Sequence, residues 1–336
     1  MSLGLPYMGS KRKLAPKIVD FILQQNPDCE YVYDLFGGGG AISFEFLQRK
    51  QIKEVYYNEL NTGVVELLRK IQKEGVTEEF YQHIDCETFN KHKNDDCWFG
   101  GLCKVVWSFG NNQKTYLFGK NIEEYKKWFH EVVVYGKDHL EKMSKYCRNY
   151  VFEKYGVNCY LNLEMPTKKD YQERRLEIRK QLNAFEKRCK DIQKEVKPLR
   201  QLQQLERLQQ LQQLERLQQL ERLQQLERLQ ILNLSYDDVE IKTPVEKTII
   251  YCDPPYINTG QYQKTIDYEQ FYSWVKNSPY KIYISSYDSP FFGVASFDHR
   301  TTFRMNAGEN NKKTKEILFC NRNEKIVKPF EFAEMW

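Results

Sequence analysis

Residues 251–262 read YCDPPYINTGQY and close the apolar run KTIIYC at 247–252. Pro254 and Pro255 have no amide proton and a fixed φ, so they cannot continue a central strand. They stop it and hold the groups beyond its end stiffly. There the Asp253 carboxylate and the Pro254 carbonyl can accept the two protons of an exocyclic amine on a planar base. That draws lone-pair density out of the ring and aims it at an incoming methyl group. Tyr256 can stack on the base face, a contact worth about 1–3 kcal/mol in nucleic-acid sites. A base inside a duplex must leave the stack to reach such a pocket. As a plain Pro-rich turn with an Asp cap, the segment accounts for Asp-Pro-Pro but not for the tyrosine or the strand-end setting.

A second constellation lies near the start. DLFGGGG (34–40) separates the strand-like run YVYDLF (31–36) from the helix-like AISFEFLQRK (41–50). Glycines there allow a tight turn and let a ligand approach the backbone at a helix N-terminus. The Lys-Ser/Thr of a triphosphate-binding loop is missing, which argues against phosphoryl transfer. Glu59 ends the next strand-like run, KEVYYNEL (53–60), where a doubly wound fold grips ribose hydroxyls. Gly-rich turn and ribose acid suit NAD and S-adenosylmethionine alike; the Asp-Pro-Pro-Tyr segment decides for the methyl donor.

These residues need a framework. A β-Gly-α-β-α order fills the first ninety residues, the second helix being GVVELLRKIQKEG, and it implies parallel strands with right-handed crossovers. Strand-like runs resume after residue 231 with LNLSYDDVEI, KTIIYCDPPY, YKIYISSYDS and KEILFCNRN, the last two able to close the sheet through an antiparallel edge. The expected organisation is an α/β domain in two parts, 1–90 and 231–336, interrupted by a basic insertion at 91–230. In the insertion 28 Lys and Arg face 19 Asp and Glu, against 23 and 27 elsewhere, a balance that suits a polyanionic partner as well as solvated helix faces. Its end, 202–232, repeats LQQLER with Leu at every third position. A coiled-coil seam needs a spacing near 3.5. Helix is the first expectation for the repeat on propensity, with a small solenoid as the alternative.

In this order the pieces resemble the Dam-type family of DNA adenine-N6 methyltransferases. LPYMGSKRKL (5–14) is similar to the family's N-terminal motif, DLFGGGG to its Gly turn, NELN to its acidic motif, LSYDDV (234–239) to the segment before the catalytic strand and DPPY to the catalytic motif. YISSYDS and TKEILFCN resemble the closing motifs. The resemblance implies a Rossmann-like S-adenosylmethionine-dependent methyltransferase sheet with an inserted, mainly helical target-recognition region. It assigns the cofactor to Tyr7, Lys11, Asp34, Phe36, Gly38, Gly40, Glu59, Tyr236 and Asp253, and catalysis to Asp253, Pro254, Pro255 and Tyr256. WSFGNNQKTYLFGK (107–120) is similar to the loop that begins DNA recognition, which points Asn111, Asn112, Gln113 and Lys114 at DNA. Outside the pattern, Tyr7 and Lys11 read as an ordered arm with a surface lysine, Tyr236 as core, and Asn111 to Lys114 as a polar hairpin turn. Glu stands at position 59 where the family more often has Asp, and the Leu-Gln repeat is not a family feature.

The expected reaction is methyl transfer from S-adenosylmethionine to N6 of a flipped adenine in double-stranded DNA. A cytosine-C5 route needs a Pro-Cys nucleophile, and no such dipeptide occurs. Its rivals are methylation of cytosine N4 or of an RNA adenine, and an inactive DNA-binding scaffold built through the repeat. The resemblance also allows a restriction endonuclease as a partner in the host. Nine scattered Cys without a C-x-x-C pair argue against a disulfide framework and against a metal site. No long apolar run or signal-like N-terminus occurs, so the expected setting is cytoplasmic, away from membranes.

Overall fold

The computed structural model describes residues 3–136, 139–155, 160, 161, 163, 164, 171–194, 212–223, 226–255, 266–300 and 313–323. The chain divides into two units, one of Met1–Val76, Asp95–Val105 and Gln219–Trp336, the other of Thr77–Asn94 and Val106–Gln218.

The first unit is built on a seven-stranded sheet. Its strands are β1 (Tyr31–Asp34), β2 (Glu54–Asn58), β3 (Leu229–Leu232), β4 (Thr248–Cys252), β5 (Lys281–Ser286), β6 (Phe292–Arg300) and β7 (Lys313–Cys320), in the order β3-β2-β1-β4-β5-β7-β6. The first five are parallel. Parallel strands covered on both faces read as continuous apolar runs, and every residue of β4 is buried. From β1 the chain winds outward through β2 to β3, then restarts beside β1 with β4. The sheet therefore has a switch point between the carboxyl ends of β1 and β4, the place where ligands bind in open α/β sheets. Asp34 ends β1 and pairs in register with Tyr251, two residues before Asp253.

Three helices packed in this unit are α1 (Ala15–Gln25), α2 (Ala41–Leu47) and α3 (Thr62–Glu74). Pro16 sits in the first turn of α1, where its missing N–H costs nothing. The helix Trp98–Val106 approaches α3 at two glycines: a Cβ on Gly101 would stand 1.9 Å from the Gly63 carbonyl oxygen. That approach lets Lys104 donate to Asn61 Oδ1 at 3.0 Å, beside Glu59.

Two strand expectations change. β3 lies within the last residues of the Leu-Gln repeat rather than in LNLSYDDVEI, because Leu229 to Leu232 pair with Val55 to Asn58 and this tertiary pairing overrides helix propensity. β6, not expected from the sequence, forms the edge: β7 runs antiparallel to β5, and β6 antiparallel to β7.

Of the repeat, residues 212–221 form a helix and 226–228 a 3₁₀ turn; 202–211, 224 and 225 lie outside the described residues. Leu214, Leu217, Leu220, Leu223, Leu226 and Leu229 are all buried. A three-residue step drifts back by roughly 60° on an α-helix, so three leucines span roughly 120°, close to one apolar face. The 3₁₀ turn then has a period of three, which suits the spacing directly. Within the first unit Arg228 donates to the carbonyls of Leu47 and, at 2.6 Å, Ile52, while Gln72 donates to those of Leu226 and Leu229.

The second unit is mainly helical among the described residues, with helices Cys86–His92, Lys120–Tyr135, Leu140–Tyr155 and Tyr171–Lys194. Trp107 is fully buried, its ring packed against those of His83 and His130. Arg216 is buried and donates to the Ser108 carbonyl at 2.7 Å.

Gly101→Ala forces Cβ into the Gly63 backbone. Overpacking of this kind costs about 1–3 kcal/mol, which predicts a fall in Tm of roughly 3–10 °C by circular dichroism. An unchanged Tm would refute the close helix contact.

Candidate active site

The sequence-derived residues of the first unit converge at the carboxyl ends of β1 and β4. Asp34 is buried; Ser43, on α2, donates to its Oδ2 at 2.6 Å, and its Oδ1 has no hydrogen-bond partner among the described atoms. Burial pushes the Asp34 carboxyl up to about 7, and the charges of Asp253 and Glu59 add to the rise. An unpartnered buried oxygen of this kind leaves room for a ligand's hydrogen-bond donor.

Between Asp34 and α2 the glycine turn folds under Tyr7. Gly40 starts α2 at φ 70°, and a Cβ there would stand 2.5 Å from the Phe44 ring. A Cβ on Gly39 would lie 2.7 Å from that of Tyr7, so the N-terminal arm lies directly on the turn. Gly38 donates its N–H to Glu59 Oε2 at 2.8 Å, and its carbonyl accepts from the Tyr57 hydroxyl at 2.7 Å. The Asn61 N–H reaches Glu59 Oε1 at 2.9 Å. Both Glu59 oxygens thus accept a backbone N–H, and the Leu60 amide also acts on this carboxylate. Burial raises the Glu59 carboxyl above its usual range. Asn58 braces the segment by donating to the Leu35 and Leu234 carbonyls and accepting from the Leu234 N–H.

Lys11 is deeply buried. Its Nζ stands 3.0 Å from Asp253 Oδ1 and 3.2 Å from Glu316 Oε1. Burial alone would lower its ammonium; the two carboxylates outweigh that and hold it above its ordinary value. The resemblance assigned Lys11 to the cofactor, and here its ammonium is seated between two acids. Asp253 keeps 24% of its side chain exposed, so it alone of the three faces a ligand to any extent.

On the other side Phe36 and Tyr236 stack at 5.6 Å between ring centroids, with Phe271 and Trp274 set edge-on to Tyr236. Pro254 is buried and Pro255 half-buried, its carbonyl accepting from the Tyr268 hydroxyl. Tyr256 lies outside the described residues.

The D12 class N6 adenine-specific DNA methyltransferase model matches residues 7–100 and 202–319. The chain belongs to this family. A comparison with curated proteins found no significant match. As a D12-class adenine-N6 DNA methyltransferase, it uses S-adenosylmethionine. The residues fit that cofactor: an unpartnered buried carboxylate oxygen at Asp34 and a cluster of acids that complements a sulfonium cation, while Phe36 and Tyr236 stack on one another in the hydrophobic core. No helix among the described residues of this methyltransferase is long and apolar enough to cross a membrane.

Asn111, Asn112, Gln113 and Lys114 belong to the second unit of the methyltransferase. A bridge between Ser108 and Tyr116 closes a tight turn in which Asn112 Oδ1 accepts from the N–H of Lys114 at 2.9 Å and of Thr115 at 3.0 Å. Asn112 therefore builds the turn. Asn111 and Gln113 flank it at φ 59° and 61°, sparsely populated for non-glycine residues, and the buried Asn111 Oδ1 has no partner among the described atoms.

Sequence reasoning missed Ser43, Ser285, Glu316, Tyr268 and Lys104. The runs YISSYDS and TKEILFCN contain Ser285 and Glu316 without marking them as site residues, while Ser43, Tyr268 and Lys104 carry no motif-level signal. For Glu316 a faint cue existed, a carboxylate set among apolar residues in the strand-like run KEILFC.

With its carboxyl raised from 3.8 to about 7, Asp34 is largely protonated at pH 6 and ionised at pH 8. A ligand ammonium placed on Oδ1 would bind the ionised form, so S-adenosylmethionine affinity should rise roughly fivefold from pH 6 to a maximum between about pH 7 and 8, then fall as the ligand's own α-ammonium loses its proton. Calorimetry in buffers of different ionisation enthalpy should also show proton release on binding below pH 7. Affinity flat across this range would contradict the assignment.

Proposed function

We propose that the methyltransferase acts on an adenine flipped out of double-stranded DNA, with Asp253 and the Pro254 carbonyl as the two acceptors for its N6 amine. The observation that supports this most is the Asp253 carboxylate at the switch point, one oxygen held by Lys11 and the side chain partly open. Oδ1 faces the ammonium, and the exposed part of the carboxylate is the part that a base amine can reach. Pro254 and Pro255 fix the adjacent backbone, and the Tyr268 hydroxyl pins the Pro255 carbonyl. S-adenosylmethionine, when bound, supplies an activated methyl group on a sulfonium. The protein's part is alignment and electrostatics. Asp253 withdraws the N6 lone pair from the ring, then takes the proton that the methylated amine releases. Tyr256 stacks on the base.

Tyr7 and the glycine turn hold the methionine end of the cofactor, Asp34 its ammonium, Glu59 the ribose, and Phe36 with Tyr236 the adenine ring. Residues 91–230 form the target-recognition region of this reading, supported by their basic balance. Within it Asn111, Gln113 and Lys114 meet DNA while Asn112 shapes their turn. Site-specific methylation of this kind also protects DNA against a restriction endonuclease paired with the enzyme in its host.

The test incubates radiolabelled S-adenosylmethionine and unmethylated genomic DNA with wild type or Asp253→Ala, then digests the DNA to nucleosides. Label is expected in N6-methyl-2′-deoxyadenosine and should fall at least roughly 100-fold in the variant. Label in N4-methyl-2′-deoxycytidine would overturn the target. A variant as active as wild type would overturn the role of Asp253.

A further inference from the structure

The Lys11 contact raises a question that the reaction alone does not answer: why a second, almost fully buried carboxylate shares the ammonium. Glu316 is 2% exposed and accepts from the Ser285 hydroxyl at 2.8 Å through the same Oε1 that faces Lys11. A buried charge is costly unless paired and hydrogen-bonded. Topology explains how it reaches the site. β7 runs antiparallel to β5, with Ser286 opposite Ile317, so the start of β7 lies at the sheet edge where parallel strands end. A parallel strand in that position would put its last residues there instead.

We propose that Glu316, held by Ser285, is a positioning residue for methyl transfer: it shares Lys11 with Asp253 and keeps the site net negative. This rests on the reading of Asp253 given above. Lys11 with Asp253 alone would form a neutral, closed pair whose ammonium is committed to the catalytic carboxylate. With Glu316 the three side chains carry one net negative charge. Lys11 divides its N–H groups between two acceptors, and Asp253 remains an effective acceptor toward the amine. Positive charge develops on N6 as the new C–N bond forms, and a preorganised negative cluster stabilises it more than it stabilises the neutral bound base. Ser285 fixes the Glu316 carboxylate through its hydroxyl.

Glu316→Gln keeps the shape and can still accept from Ser285, but removes the charge. With saturating S-adenosylmethionine and unmethylated genomic DNA as substrate, kcat should fall at least roughly tenfold. The KM for DNA and the calorimetric affinity for S-adenosylmethionine should change less than about twofold, the mark of an interaction made chiefly in the transition state. Ser285→Ala, which leaves the charge but loosens it, should lower kcat by a smaller factor in the same pattern. It carries the test alone if Glu316→Gln does not fold. Wild-type kcat in Glu316→Gln, or in Ser285→Ala where only that variant folds, would overturn the proposal. So would a loss of activity that follows a loss of cofactor affinity and Tm, since Glu316 would then be a purely structural partner of Lys11. Asp253→Ala separates the two readings. If it stays active, the Asp253 reading fails; if it is inactive while Glu316→Gln is unimpaired, only the Glu316 proposal fails.

Discussion

The site depends on one buried ammonium. Lys11 comes from the arm before α1, Asp253 from the end of β4 and Glu316 from the start of β7, and their contacts of 3.0 and 3.2 Å join segments hundreds of residues apart in the chain. Each buried ion forfeits several kcal/mol of hydration, so the cluster survives only because its members compensate one another. Removing a partner leaves a charge stranded. The same contacts hold the N-terminal arm and the Asp253 carboxylate in place, so the fold and the proposed chemistry rest on the same charges.

A second acid completes the electrostatics. Asp34 sits at the end of the neighbouring strand with one oxygen satisfied by Ser43 and the other without a partner among the described atoms. Its burial and its nearness to Asp253 and Glu59 raise its carboxyl to about 7, which makes this end of the sheet poor at holding several negative charges alone. A cationic cofactor relieves that strain. Beside Asp34, Glu59 is held in place by the Gly38 and Asn61 amides.

What could be read from the sequence was what local chemistry dictates. Paired prolines end a strand wherever they occur, and a glycine run after YVYD makes a turn before a helix, so Asp34, Gly40 and Asp253 were legible as strand-end groups. The parallel core followed from alternating strand and helix signals. What depended on tertiary pairing was hidden. The Leu229–Leu232 stretch has helix-forming neighbours, yet pairs with β2 as a strand. Glu316 comes to Lys11 only because β7 is antiparallel, and nothing within its own neighbourhood of the chain records that. Asn112, pointed at DNA by its place in WSFGNNQKTYLFGK, also builds the polar turn that its residue type allowed, by accepting from the Lys114 and Thr115 amides. The three-residue leucine period looked awkward for a helix and is met by a short helix followed by a 3₁₀ turn.

The most direct test of the shared ammonium is a double-mutant cycle on kcat between Lys11→Met and Glu316→Gln. If the two side chains act as one unit around Asp253, Glu316→Gln slows the wild type but leaves the Lys11→Met enzyme unchanged or faster, because it then removes a stranded buried carboxylate. Losses that simply multiply in the double variant would show that Lys11 and Glu316 act independently, and would contradict the account.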